Sequence, residues 1–186
     1  MGNILKCFQG LIGLVGLGGG MNNFKKDLDF SYKAEDLPIW RTIYAKAFPG
    51  YQGCTNMRDN GQTQYLGIDR TIVLSSGKAI YVDEKVRRKD YGDILIEYTS
   101  NDQKKTKGWA EKPLFCDYIA YAILPSRKCY LLPVPQLQKA WAKNKEAWIS
   151  QFGTKPADNT FYKTLNCPVP VNILFKAIGK TLRIDF

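Results

Sequence analysis

The chain of 186 residues contains no histidine. That absence removes Ser-His-Asp and Cys-His nucleophilic devices, HExxH peptidase chemistry, and zinc or haem held through imidazole. Any chemistry must then come from carboxylates, lysines, tyrosines, cysteines or a metal held through oxygen. Cysteine is sparse as well. Cys7, Cys54, Cys116, Cys129 and Cys167 are widely spaced, odd in number and form no C-x-x-C pair. A disulfide framework or a structural zinc site is not expected, and a reducing, cytoplasmic compartment is the simple reading. Cys116 and Cys129 lie in apolar runs and are predicted to be small core residues.

A spanning apolar run is missing too. The apolar stretch within "MGNILKCFQGLIGLVGLGGG" (residues 1–20) is too short and too rich in glycine to cross a membrane, so no stable insertion is expected. No A-x-A-like cleavage site follows it, and Lys6 stands where an N-myristoylation motif wants Ser or Thr. Residues 1–20 read as a flexible or peripheral extension, with Met21 a candidate start, and 21–186 as a single domain.

Negative charge is in short supply: 17 Asp and Glu face 27 Lys and Arg, a net charge of +10. The excess favours a polyanionic partner, nucleic acid before an anionic membrane surface. Hydrophobic residues at 45% and aromatics at 13% are those of a globular chain with a core.

Periodicity then lays out the elements. "DLPIWRTIYAKAF" (36–48) predicts a helix with Asp36 as N-cap, Pro38 in the first turn, and Trp40, Tyr44 and Phe48 at helical spacing. "YLGIDRTIVL" and "KAIYVDEKV" flank "SSG" and predict an antiparallel hairpin. "DILIEYT" reads as a third strand and "KCYLLPV" as another. "PQLQKAWAKNKEAWISQFG" is a helix with Leu137, Trp141, Trp148 and Phe152 in one stripe, ended by Gly153. "PVPVNILFKAI" is apolar and ambiguous. The order indicates an α+β or α/β layer domain.

Within the hairpin, residues two apart share a face. Asp83 and Lys85 therefore project together, while Ile80, Val82, Glu84 and Val86 face the other way. The turn folds Asp69 back toward the end of the second strand. Two carboxylates and a lysine converging on one point suit phosphodiester hydrolysis. Carboxylates hold Mg²⁺, which accepts phosphate oxygens as further ligands, and a lysine orients or deprotonates water or neutralises developing charge.

"GIDR", followed after a strand and turn by "IYVDEKVR", resembles the PD-(D/E)xK nuclease superfamily, and small nuclease-like proteins of phages and mobile elements in particular. "DILIEY" and "GW…DYIAYAILP…YLLP" extend the likeness, which covers about residues 36 to 150. The resemblance implies a restriction-endonuclease-like core: a mixed central sheet carrying an antiparallel hairpin, flanked by helices. It implies a Mg²⁺-dependent DNA endonuclease, with Mn²⁺ as a substitute metal. Asp69 and Asp83 would be the metal ligands and Lys85 the catalytic lysine. Glu84 would replace Asp83 if a bulge shifted the strand, and Glu35 is an extra ligand candidate from the first helix. A second D-x-K, Asp102-Gln103-Lys104, lies in a polar loop without strand context.

Around that site, Arg70, Arg87, Arg88, Lys89 and Gln64 are the candidates for contact with DNA phosphates or base edges. Trp109, Trp141 and Trp148 could stack bases, although the spacing of the last two favours the core. DNA is the expected partner, with a second copy of the chain as an additional candidate. Two rival readings are a catalytically inactive basic module binding nucleic acid on the same fold, and a peripheral membrane protein.

Overall fold

The structure is a computed structural model and describes residues 38–58, 63, 65–179 and 181–186. It is a mixed α+β chain that gathers into two compact units interleaved in sequence. Among the described residues no helix is long and apolar enough to cross a membrane. Residues 1–20, Glu35 and Asp36 lie outside the described residues, as does Gln64.

The first unit takes the described residues within 38–90, 114–135 and 181–186. Its sheet has six strands: β1 (Tyr51–Asn56), β2 (Arg70–Leu74), β3 (Ala79–Arg87), β6 (Tyr118–Ile123), β7 (Lys128–Pro133) and β10 (Leu182–Asp185). Their order is β1-β2-β3-β6-β7-β10. Every neighbouring pair is antiparallel except β3 and β6, which run parallel, so the sheet is mixed. The predicted hairpin is β2–β3. Gly77 closes it at φ +79°, a left-handed conformation that glycine adopts without strain, and its N–H donates to Leu74 O at 2.9 Å.

Helix α1 (Ile39–Ala47) follows Pro38 directly and buries Trp40, Ile43, Tyr44 and Ala47. Those side chains pack with Ile72, Ile80 and Val82 of the hairpin, Ala120 and Ala122 of β6, and Cys129 and Leu131 of β7. Burying each large side chain contributes roughly 1.5–3 kcal/mol, so this face is the unit's main source of stability.

The second unit takes residues 91–113 and 136–179 of the described chain. It has a four-stranded antiparallel sheet of order β5-β4-β9-β8: β4 (Asp93–Asn101), β5 (Thr106–Lys107), β8 (Lys155–Asp158) and β9 (Lys163–Pro170). To it belong α2 (Val134–Phe152), from Gln136 onward, and α3 (Val171–Ile178). "DILIEYT" is thus a strand, as expected, but of this sheet: the place beside β3 goes to β6. The ambiguous "PVPVNILFKAI" divides at Pro170 into the end of β9 and α3. The second D-x-K sits in the turn between β4 and β5, where Asp102 Oδ1 accepts the Lys163 N–H at 2.8 Å.

Candidate active site

The register of the hairpin decides which charges meet. Arg70 pairs with Val82, so Asp69, one residue earlier, stands across from Asp83. Its N–H donates to Val82 O at 2.9 Å, and its carbonyl accepts the Met57 N–H at 2.9 Å. Asp69, Asp83 and Lys85 come together on one face. The Lys85 ammonium donates to Asp83 Oδ1, and the two aspartates are within hydrogen-bonding reach of each other. Parallel strand β6 sets Ile119 and Tyr121 opposite Asp83 and Lys85, and both are buried. The pair therefore sits against low-dielectric walls.

Asp69 is held on two sides. Its Oδ2 accepts the Glu84 N–H at 2.8 Å and Arg58 Nη2 at 2.9 Å. Both donors meet the same oxygen. Arg58 is buried, and its own N–H donates to Asn56 Oδ1 at 2.9 Å. Arg58 lay in a polar loop without periodic signal, and nothing in the sequence singled it out.

The environments split the two carboxyls. Burial raises the Asp83 carboxyl to about 7; Lys85 pulls it down, and the Asp69 charge pushes it further up. Burial also acts upward on Asp69, but Arg58, Lys85, the Asp83 hydroxyl and the Glu84 amide outweigh it and hold it below the ordinary carboxylate range. Below about pH 7 Asp83 keeps a proton beside an ionised Asp69. Cys116 adjoins this pair; burial and then Asp83 push its thiol well up, which keeps it neutral and unsuited to nucleophilic work.

Glu84 points the opposite way, toward α1. Its carboxylate takes Arg70 Nε at 2.6 Å and Nη2 at 3.1 Å, and the Tyr44 hydroxyl at 2.6 Å. Glu84 is fully buried, and burial raises its carboxyl against the pull of Arg70 and Arg58. This corrects two expectations. Glu84 is not a member of the carboxylate pair, because β3 keeps period-two alternation through Asp83-Glu84-Lys85. Arg70 is not a surface cation for DNA, because it is buried against Glu84. Alternation could have predicted this pair, since Arg70 follows Asp69 and Glu84 follows Asp83. Arg87 is corrected likewise: it is buried, on the strand rather than at the surface. Arg88 and Lys89 are exposed just beyond the end of β3.

Trp109, Trp141 and Trp148 are buried in the second unit. Trp141 stacks on Tyr98 at 5.6 Å between centroids and donates its indole N–H to Glu111 at 3.0 Å. They are core residues, not a stacking platform.

Among the described residues no group of three or more His, Cys, Asp or Glu gathers into a metal-ligating cluster. The donor set at Asp69 and Asp83 is nevertheless of the kind a hard cation takes: two carboxylates, with its remaining positions filled by waters and phosphate oxygens. The two carboxyls stand close enough to raise each other's cost of ionisation, with Arg58 beside Asp69 and Lys85 beside Asp83 as the counter-charges.

Comparison with known proteins finds no matching family model, no matching curated protein and no matching solved structure.

Proposed function

We propose that this chain is a metal-dependent deoxyribonuclease of PD-(D/E)xK type that hydrolyses DNA phosphodiester bonds on a restriction-endonuclease-like core. The observation that carries this reading is the meeting of Asp69, Asp83 and Lys85 across neighbouring antiparallel strands. Helix α1, the β1-β2-β3 meander and the parallel strand beside β3 support the fold part. The net charge of +10 supports DNA as partner.

Asp69 and Asp83 would hold Mg²⁺, or Mn²⁺ in its place, and the ion would neutralise charge on the scissile phosphate and lower the pKa of a bound water. The protein's own residues do the rest. Arg58 and the Glu84 amide hold Asp69 in place through Oδ2. Lys85, aligned by Asp83, orients the attacking water and stabilises negative charge developing on phosphate oxygens. The buried β6 wall limits bulk water and strengthens each of these interactions.

The test is cleavage of plasmid and end-labelled oligonucleotides by the purified full chain in Mg²⁺ or Mn²⁺. Asp69→Ala, Asp83→Ala and Lys85→Ala should each lower the rate by about 10² or more while remaining folded by circular dichroism. Wild type that binds DNA but cuts nothing in either metal would leave only the inactive binding module standing.

A further inference from the structure

Three exposed aromatic rings lie on the segments that carry or adjoin the carboxylate pair: Tyr65 at 75%, Phe115 at 64% and Tyr81 at 39%. Other large aromatics of this unit behave differently, for Trp40, Tyr44, Phe48, Tyr121 and Tyr130 are buried. The backbone segments carrying the three rings are stitched together. Phe115 N–H donates to Leu66 O at 2.9 Å, which joins the Phe115 segment to the one bearing Tyr65. Asp117 N–H donates to Tyr81 O at 2.8 Å, and Tyr81 N–H returns a bond to Asp117 Oδ2 at 2.8 Å. The same segments carry the site. Tyr81 is two residues before Asp83 on the same strand face, and Tyr65 is four before Asp69. Phe115 precedes Cys116, whose thiol feels Asp83, Lys85 and Asp69.

Such rings suit one kind of occupant better than others. On the hairpin's outer face the neighbouring exposed apolar residue is Val73, too little aliphatic surface to seat an amphipathic helix. Flat π faces with polar surroundings fit flat, polar-edged nucleobases, which stack without regard to sequence. Exposed cations stand at both ends of β3, Lys78 at the turn and Arg88 and Lys89 beyond Arg87. They put positive charge at both ends of the strand that carries Tyr81, Asp83 and Lys85, which suits a phosphate backbone.

We infer that Tyr81, Phe115 and Tyr65 form a stacking platform for unpaired bases, so that the chain engages DNA with a single-stranded segment next to the carboxylate pair. The inference rests on the nuclease reading for the placement of the bond to be cut, but the platform itself is a binding surface. Stacked rings recognise bases that duplex DNA keeps inside its own stack, so single strands, flaps and frayed ends are the substrate class and blunt duplex is not.

The experiment is fluorescence anisotropy of the full chain with labelled 20-mer single strands and blunt duplexes in EDTA, where no cleavage occurs. Wild type should bind the single strand several-fold more tightly than the duplex. Tyr81→Ala/Phe115→Ala should weaken single-strand binding at least tenfold and change duplex binding little, while Tyr81→Phe/Phe115→Tyr, which keeps both rings, binds as wild type. Equal affinity of the alanine variant and wild type overturns the platform. So does a wild-type dimer that this variant converts to monomer in sedimentation, which would make the rings a self-interface. An Asp83→Ala protein separates the two ideas. If wild type and Asp83→Ala both show the ring-dependent preference and wild type cuts nothing in Mg²⁺ or Mn²⁺, the nuclease reading fails and the platform stands; if wild type cuts but lacks the preference, only the platform fails.

Discussion

Glu84 donates its backbone N–H to Asp69 Oδ2 at 2.8 Å while its carboxylate, on the opposite face of the sheet, takes both Nε and Nη2 of Arg70. One residue therefore aims a carboxylate of the site with its main chain and ties two strands to α1 with its side chain. The two duties separate by mutation, because only the second depends on which side chain is present.

Replacing Glu84 should thus cost stability before it costs chemistry. Glu84→Ala leaves the Arg70 guanidinium buried without its carboxylate, a change worth roughly 3–5 kcal/mol. Glu84→Leu combined with Arg70→Met, of similar volume, should recover most of that loss. Urea unfolding of the three proteins decides it. A single-mutant loss below about 1 kcal/mol would mean the pair is far more hydrated than its burial indicates.

The raised Asp83 carboxyl has a consequence for stability in the absence of divalent cations. Between its ordinary value near 4 and about 7, the folded protein keeps a proton that the unfolded chain releases. Stability therefore falls as pH rises through that window and stays lower above it, by an amount on the order of a few kcal/mol. Asp69, whose carboxyl is lowered, acts in the other sense, losing its contribution only as pH falls below the ordinary range. Asp83→Asn removes the penalty and should raise the urea midpoint at pH 8 but not at pH 5. Mg²⁺ at pH 8 should raise the melting temperature of wild type and leave that of Asp83→Asn unmoved. A variant that melts like wild type at both pH values would contradict the described environment of Asp83.

The loop leading into Asp69 depends on Gly67, which sits at φ +73°. A Cβ built there would stand 2.5 Å from Leu114 Cδ2, so a side chain is opposed both by the backbone conformation and by a packed neighbour. Gly67→Ala should destabilise by about 1–2 kcal/mol. Because the strain falls two residues from Asp69, cleavage should drop as well, whereas Gly77→Ala, at a turn with open space around it, should lose stability alone. Thermal unfolding beside a cleavage assay separates the two cases.

What the sequence disclosed was whatever repeats with a short period. Alternation along "AIYVDEKV" separated Asp83 and Lys85 from Glu84, and the structure keeps that alternation unbroken. The turn at Ser75 to Gly77 and the Leu137, Trp141 and Trp148 stripe were equally local. Pairing between distant segments was not legible. Nothing local to "DILIEYT" says that it leaves the hairpin's sheet, or that β6 enters parallel to β3 from some thirty residues downstream. Arg58 was hidden for the same reason, since its role depends on a non-repeating loop that brings it back to Asp69. Charge without face says little about Arg70 and Arg87: the period that sets Asp83 in the site turns Arg70 to the opposite face with Glu84, whereas Arg87 shares the parity of Asp83 and is buried where β6 pairs along the end of β3.

That lesson bears on the tryptophans, where charge excess and aromatic content together suggest base stacking. Trp141 is buried between Tyr98, Trp148 and the Glu111 carboxylate, and Lys145 bonds the same carboxylate at 2.7 Å. Its indole cannot leave that position without abandoning a hydrogen bond and two ring contacts, so DNA has no access to its face. Trp141→Ala should therefore cost roughly 3–5 kcal/mol in unfolding free energy, as large core truncations do. Intrinsic tryptophan emission of the wild type should be blue-shifted and should not be quenched on adding oligonucleotide, although Tyr81 and Phe115 variants change affinity. Strong quenching by DNA in a Trp40→Phe/Trp109→Phe variant, which keeps Trp141 and Trp148, would place a base against the second unit and overturn the division of labour between buried indoles and exposed rings.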